Sequence, residues 1–208
     1  MAIKTLRPNA AGDETNITYQ FPDSTFHWDK VDEEVADDET TKVYIERTTL
    51  GTTEERDLYA LPDPAGLGLI AKVTVHFRAR ADVALHDGIS YSRHMHACIK
   101  THETIYKSGN IGGTDSWAPY SYDWEVNPFT GFPWTRVEID ALQLGVELYL
   151  SVAGGDPPPT VSLRCTQVYV EVDYTPSTWE NIDGATTDPY NDTGAPSDGS
   201  GGHFSQHP

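Results

Sequence analysis

The residues most able to do chemistry are histidines. His94-Met-His96 places two imidazoles at i and i+2, with His76, His86 and His102 elsewhere in the same region. On a strand, that spacing projects both rings from one face, where neutral imidazole nitrogens can ligate zinc or copper. A third and fourth ligand cannot be named from spacing, so a face of hydrogen-bonded imidazoles at solvent or at an interface is the competing reading, and the expected metal content is none. Trp117, Tyr120, Tyr122 and Trp124 form the second constellation. Trp and Tyr faces stack on sugar rings and anchor interfaces, because both offer large area at low entropy cost. Strand alternation puts Tyr120, Tyr122 and Trp124 on one side, either a glycan- or partner-binding face or a core face.

The acidic run Asp32 to Glu39 lacks the alternating Asp/Asn and Gly of an EF-hand loop and is expected to be a solvated acidic turn. Cys98 and Cys165 match no metal-ligand spacing; they are expected to be ordinary semi-buried thiols, with a bridge as the alternative. The signatures of hydrolases, zinc proteases, Walker loops and dinucleotide-binding turns are all missing. With 32 Asp and Glu in the chain, chance carboxylate pairs arise in any fold and identify no glycosidase. No catalytic residue and no cofactor are expected.

The elements that must position these groups follow from period-two patterning. Val73, Val75, Phe77 and Ala79 alternate with Lys72, Thr74, His76 and Arg78 in 71–80. Val146, Leu148, Leu150 and Val152 do the same in 145–152, as do Val168, Val170, Val172 and Tyr174 in 166–174. Shorter candidates are 42–47, 56–61, 90–100, 103–107 and 121–126. About eight strands with one apolar face each call for an all-β, jelly-roll-like sandwich of two antiparallel sheets. One short helix is expected from the capping box Thr135-Arg-Val-Glu138, with Val137, Ala141 and Leu144 as its apolar stripe and Gly145 as its left-handed end.

Three segments result. Residues 1–41 read as an extended, weakly hydrophobic arm, broken by Pro8, Gly12 and Pro22, with Leu6, Phe21, Phe26 and Trp28 as assembly contacts. Residues 42–175 form the sandwich. Residues 176–208 are rich in Gly, Pro, Ser, Thr and Asp, and such a composition does not fold alone. Ordering that tail costs roughly 30–60 kcal/mol of backbone entropy, which needs roughly 1,200–2,400 Å² of apolar burial to offset. Neighbouring subunits can supply that surface, which makes Trp179, Tyr190 and Phe204 the expected assembly contacts of a second arm.

The net charge of −18 argues against nucleic acid and anionic membranes as partners and favours solubility at high concentration. No charged and apolar leader opens the sequence and no run approaches membrane-spanning length, so a soluble product made in a cytoplasm is expected.

LRPNAAGDETNI at 6–17, HWDKVDE at 27–33, NPFTGFPWTRVEIDALQLGVEL at 127–148 and VYVEVDY at 168–174 resemble segments of a recurrent type of phage virion structural protein, a group of jelly-roll proteins encoded among head and tail genes. The resemblance spans about residues 6–174 and leaves the tail uncovered. It implies a virion-surface role, as a capsid decoration protein or fibre component, made in the host cytoplasm, with no catalytic residues. The partners it implies are further copies of the chain, in a homo-oligomer with a trimer as the working symmetry, and the major capsid or other virion proteins. Two functions compete with it: a carbohydrate-binding sandwich that stacks surface glycans on the Trp117–Trp124 stretch, and a filament-forming microbial surface subunit built by strand addition.

Overall fold

The structure, a computed structural model, describes residues 1–24, 26–83, 90–154 and 160–176. His86, Trp179, Tyr190 and Phe204, and with them the expected C-terminal arm, lie outside the described residues. Among the described residues there are twelve strands: β1 (Ala2–Leu6), β2 (Ala10–Thr15), β3 (Tyr19–Phe21), β4 (Lys42–Arg47), β5 (Gly51–Ala60), β6 (Leu69–Val83), β7 (Ser90–Thr101), β8 (Thr104–Lys107), β9 (Ile111–Gly112), β10 (Ala118–Trp124), β11 (Gln143–Ala153) and β12 (Val161–Thr175). One 3-10 turn, Trp28–Lys30, and one α-helix, α1 (Arg136–Asp140), complete the elements. None of these is a helix long and apolar enough to cross a membrane.

The strands build two antiparallel six-stranded sheets. The first has the order β10-β6-β12-β4-β3, with β1 also paired to β12; the second has β2-β5-β11-β7-β8, with β9 paired to β7. Chain order alternates between the sheets at most steps, the jelly-roll-like pattern expected of the sequence. The alternating apolar positions face inward as their spacing predicts. Val73, Val75, Phe77, Val146, Leu148, Leu150, Val168, Val170 and Val172 all carry 0–1% exposure and meet in one core. Cys98 and Cys165 are free and buried, and burial raises both thiols to about 12.

Three expectations are overturned. Residues 1–41 are not an arm. β1 runs antiparallel to β12 from Ala2↔Tyr174 to Leu6↔Val170, β2 pairs with β5, and β3 pairs with β4. Leu6, Ile17 and Val31 are core residues, so Leu6 presents no assembly contact, and Trp28 packs half-buried against the same core. Short strands at sheet edges bury little, which is why their apolar content falls below what an alternation pattern can register.

The helix is shorter than its pattern. The capping box is present: Glu138 N donates to Thr135 Oγ1 at 3.3 Å, and Thr135 N donates to Glu138 Oε2 at 2.7 Å. However, α1 stops at Asp140, Val137 is 75% exposed, and Ile139 is the residue that enters the core. Leu144 and Gly145 belong to β11, which is bonded on both sides, to β5 and to β7. Gly145 is therefore not a left-handed cap. A Cβ on it would sit 1.9 Å from the Asp57 carbonyl oxygen, so the strands approach there as closely as a bare backbone permits.

The acidic run is also more than a solvated turn. It crosses the outer face of the first sheet as a brace. Asp38 receives Arg78 through two bonds of 2.6 and 2.9 Å, Glu39 receives Arg80 at 2.7 Å and Lys42 at 2.9 Å, and Asp37 receives Thr166 at 3.1 Å. Gln167 donates to the Glu33 carbonyl at 2.7 Å, beside a register shift in β12 between Cys165 and Gln167. Burial holds the Glu33 carboxyl above its usual range despite a bond from Thr41, and its Oε2 is buried with no partner among the described residues.

Gly145→Ala is expected to lose roughly 3 kcal/mol or more of stability, the upper end of overpacking penalties, because a strand backbone cannot step aside. Gly112→Ala, whose Cβ would meet nothing within 4 Å, should melt like the parent; equal melting of the two variants would refute the close approach. Glu33 gives a pH signature. A carboxyl raised by folding contributes its stability at acid pH and loses it as pH rises through the raised value. Glu33→Gln should thus gain on the parent in urea midpoint between acid and neutral pH, whereas a constant difference would acquit the carboxyl.

Candidate functional site

Of the aromatic residues picked out in 117–124, the structure brings none into an open platform. Trp124 is 7% exposed in the core, and Trp134 Nε1 donates to its carbonyl at 3.0 Å. Tyr120 stacks on Phe77 at 5.3 Å, half-buried against the core, with its hydroxyl bonded to Thr114. Tyr122 is partly exposed but packs edge-on to Trp124 at 4.7 Å. Trp117 is elsewhere, donating to Glu39 of the brace at 3.1 Å and lying 5.6 Å from the Arg80 guanidinium. Register explains the burial of Trp124 and the half-burial of Tyr120, which pair with Val73 and Phe77 and share their inward side; Tyr122, opposite Val75, lies on the same side but stays 39% exposed.

His94 and His96 do share a face, with ring centroids 5.2 Å apart. Among the described residues no group of three or more His, Cys, Asp or Glu is placed to hold an ion. His96 is buried, its Nδ1 2.8 Å from the Ser108 carbonyl. His94 stacks on Tyr149 at 4.1 Å, and burial, then the neighbouring His96, depresses its basicity. The adjacent buried Glu147 accepts from Arg56 at 2.8 Å and Lys107 at 2.6 Å. These groups satisfy one another and leave little for a ligand.

An open cavity with aromatic walls lies at the β3 edge of the first sheet. Antiparallel register sets Tyr19 opposite Tyr44 and Phe21 opposite Lys42. The two tyrosines stack at 5.1 Å with 20° between planes, and the Lys42 ammonium lies 4.9 Å from the Phe21 centroid. Tyr19 is 44% and Phe21 49% exposed. A cavity of about 410 Å³ opens beside them, lined by Thr18, Tyr19, Gln20, Phe21, Pro22, Asp23, His27 and Tyr44. Phe26, half exposed, stacks on Trp28 at 5.9 Å in the same segment.

Behind the cavity is a buried carboxylate. Asp57, with 0% exposure, accepts from Ile17 N at 2.9 Å through Oδ1 and from the Tyr59 hydroxyl at 3.2 Å through Oδ2, and His27 Nδ1 lies 2.7 Å from the same Oδ2. Burial, reinforced by Asp57, holds the Tyr59 hydroxyl well above its usual range, so it stays a donor. A carboxylate accepts only, hence the shared proton sits on His27 Nδ1, which orients the ring. Gln20 gives Nε2 to the Ser24 carbonyl, while its Oε1 is buried and has no donor among the described residues. Thr18 is fixed by Glu55 through its N at 2.6 Å and its hydroxyl at 2.8 Å.

Of these lining residues, sequence reasoning marked Phe21 as an assembly contact and Pro22 as a break in the chain, and neither as part of a site. Tyr19-Gln-Phe21 is a three-residue alternation too short to stand out, although aromatic residues at i and i+2 ahead of Tyr44 carry the signal. His27 and Asp57, thirty positions apart, are joined only by the fold.

No protein-family model and no curated protein matches the chain. Among solved structures it is similar to a family 11 carbohydrate-binding module from Clostridium thermocellum, in complex with a β-1,3-1,4-mixed-linked tetrasaccharide. That likeness covers 81% of this chain and 87% of that one, at 10% identity and a TM-score of 0.32.

Proposed function

We propose that this chain is a non-catalytic glycan-binding β-sandwich that holds saccharide at the β3 edge. One observation carries the reading: a single cavity unites the stacked Tyr19 and Tyr44, the exposed Phe21 ring and an imidazole oriented by a buried carboxylate. Sugar rings present an apolar C–H face and a rim of hydroxyls. Aromatic faces take the first, and fixed polar atoms such as the His27 ring nitrogen take the second. Among the described residues lining the cavity, no hydroxyl or thiol is bonded to His27 as an activated nucleophile, which favours binding over turnover.

A virion-surface setting, with further copies of the chain as partners, is the second reading. It rests on the four resembling segments, which fall on β1–β2, the 3-10 turn and brace, the 127–148 stretch through α1 into β11, and β12. Glycan binding and a place on a particle surface are compatible roles.

Titration of the full chain against soluble oligosaccharides is expected to show binding that Tyr19→Ala and Tyr44→Ala each weaken by about tenfold, roughly 1.4 kcal/mol. Trp117→Ala should leave it unchanged. Binding that depends on Trp117 and ignores both tyrosines, or a full panel without a ligand, would sink the proposal. Light scattering is expected to find a discrete oligomer. A monomer at every concentration would remove self-assembly from the second reading.

A further inference from the structure

Among the described residues, β10 closes one end of the first sheet, and no strand pairs with it beyond β6. An open sheet edge is a template for another strand, and the other edges of this sandwich are short or irregular. β3, β8 and β9 are two to four residues long, β1 is five, and β2 carries a register shift. β10 instead keeps its seven residues in unbroken register with β6, from Ala118↔Ala79 to Trp124↔Val73. The direction of its free backbone groups follows. The Arg78 backbone N–H donates to the Cys165 sulfur on the β12 side, so the alternate residues Phe77 and Val75 bond towards β10. Their partners Tyr120 and Tyr122 are therefore committed to β6. Pro119, Ser121 and Asp123, opposite Arg78, His76 and Thr74, aim their backbone groups outward, where a proline's missing N–H costs β6 nothing. All three are exposed.

This outward row is complementary to itself. Two copies laid antiparallel about Ser121 exchange both N–H···O bonds between their Ser121 residues. The Asp123 N–H of each then meets the Pro119 carbonyl of the other. The Asp123 carboxylate, already bonded to Thr74 at 2.8 Å and Lys72 at 3.1 Å, faces a proline and not a like charge. On the inward side Tyr122, 39% exposed, comes against Tyr120 of the second copy in the closer, non-hydrogen-bonded kind of pair. The neighbouring centres fail. A pair centred on Pro119 has no N–H to give there, and one centred on Asp123 sets two carboxylates face to face. The geometry points to a symmetric pair of copies joined through their β10 edges, with Ser121 on the two-fold axis. This goes beyond the glycan reading and gives the self-association of the second reading an interface. β3 lies at the opposite end of the same sheet, so the pair holds its two pockets at the outer ends. Two linked sites raise avidity for a repetitive glycan without any new contact.

A net charge of −18 per copy opposes the union, and one seven-residue edge is a small interface. A dissociation constant on the order of 10 µM is expected at moderate salt. The test is sedimentation velocity of the full chain over a concentration series spanning that value, with two exposed substitutions that each remove the same net negative charge. Ser121→Lys sets two ammoniums face to face on the axis and should weaken the dimer by about fivefold. Pro119→Lys sets an ammonium opposite Asp123 of the second copy and should tighten it by about threefold. Melting temperatures near the parent's verify that both variants fold. Bulk electrostatics alone would tighten both. A dimer that both variants shift in one direction, or that neither shifts, places the interface elsewhere and overturns the inference while self-association stands. A parent that stays monomeric throughout overturns it together with self-association, and leaves the glycan reading to the oligosaccharide titration.

Discussion

A carboxylate with no exposed surface must find its donors inside the protein, and the geometry around Asp57 is the constraint from which much of this molecule follows. Its side chain gathers Ile17 N, the Tyr59 hydroxyl and the His27 ring, and its carbonyl presses against Gly145 of the neighbouring strand. Removing one partner of such a buried group typically costs far more than the bond is worth, because the charge is left behind. One residue of β5 thereby fixes the close passage of β11, the path of the chain at 16–18 and the orientation of His27.

The N-terminal segment then has no freedom to be an arm. Once Ile17 is anchored, Tyr19–Phe21 pairs with β4, and the residues that follow are carried to the outer face of the first sheet. There the acidic run meets a row of basic side chains, Arg78, Arg80 and Lys42, and neutralises them. Some of the 32 acidic side chains thus serve as internal compensation, and the net charge of −18 is what remains beyond such pairs. Exposed pairs contribute little singly, but a bidentate Arg78–Asp38 pair within a network holds geometry well.

Legibility in the sequence tracked burial. The long central strands β6, β11 and β12 alternate over full length, so their apolar faces stand out, and the Thr135–Glu138 capping box reads as what it is. The edge strands β1 to β3 hide because an edge strand needs backbone pairing more than apolar surface. The 135–145 stretch misleads because Leu144 fits a helical stripe and a strand equally well, and only the approach of Asp57 to Gly145 decides between them. The candidate site was the least legible part. Trp117 to Trp124 announced itself by density of aromatic rings and proved largely structural, whereas Tyr19, Gln20, His27 and Tyr44 are ordinary residues until β3–β4 pairing and Asp57 assemble them.

The three-residue edge strand that carries Tyr19 and Phe21 has a further consequence, for how such a protein can change. Both side chains point away from the core, and among the described residues β3 has no sheet neighbour beyond β4. Rings at these two positions can be exchanged, enlarged or lost without repacking the sandwich, so ligand choice is free to drift while the scaffold persists. His27 is the exception, since a change there also strips a partner from a buried charge. Selection is therefore expected to act on the rim of the pocket quickly and on its back wall slowly.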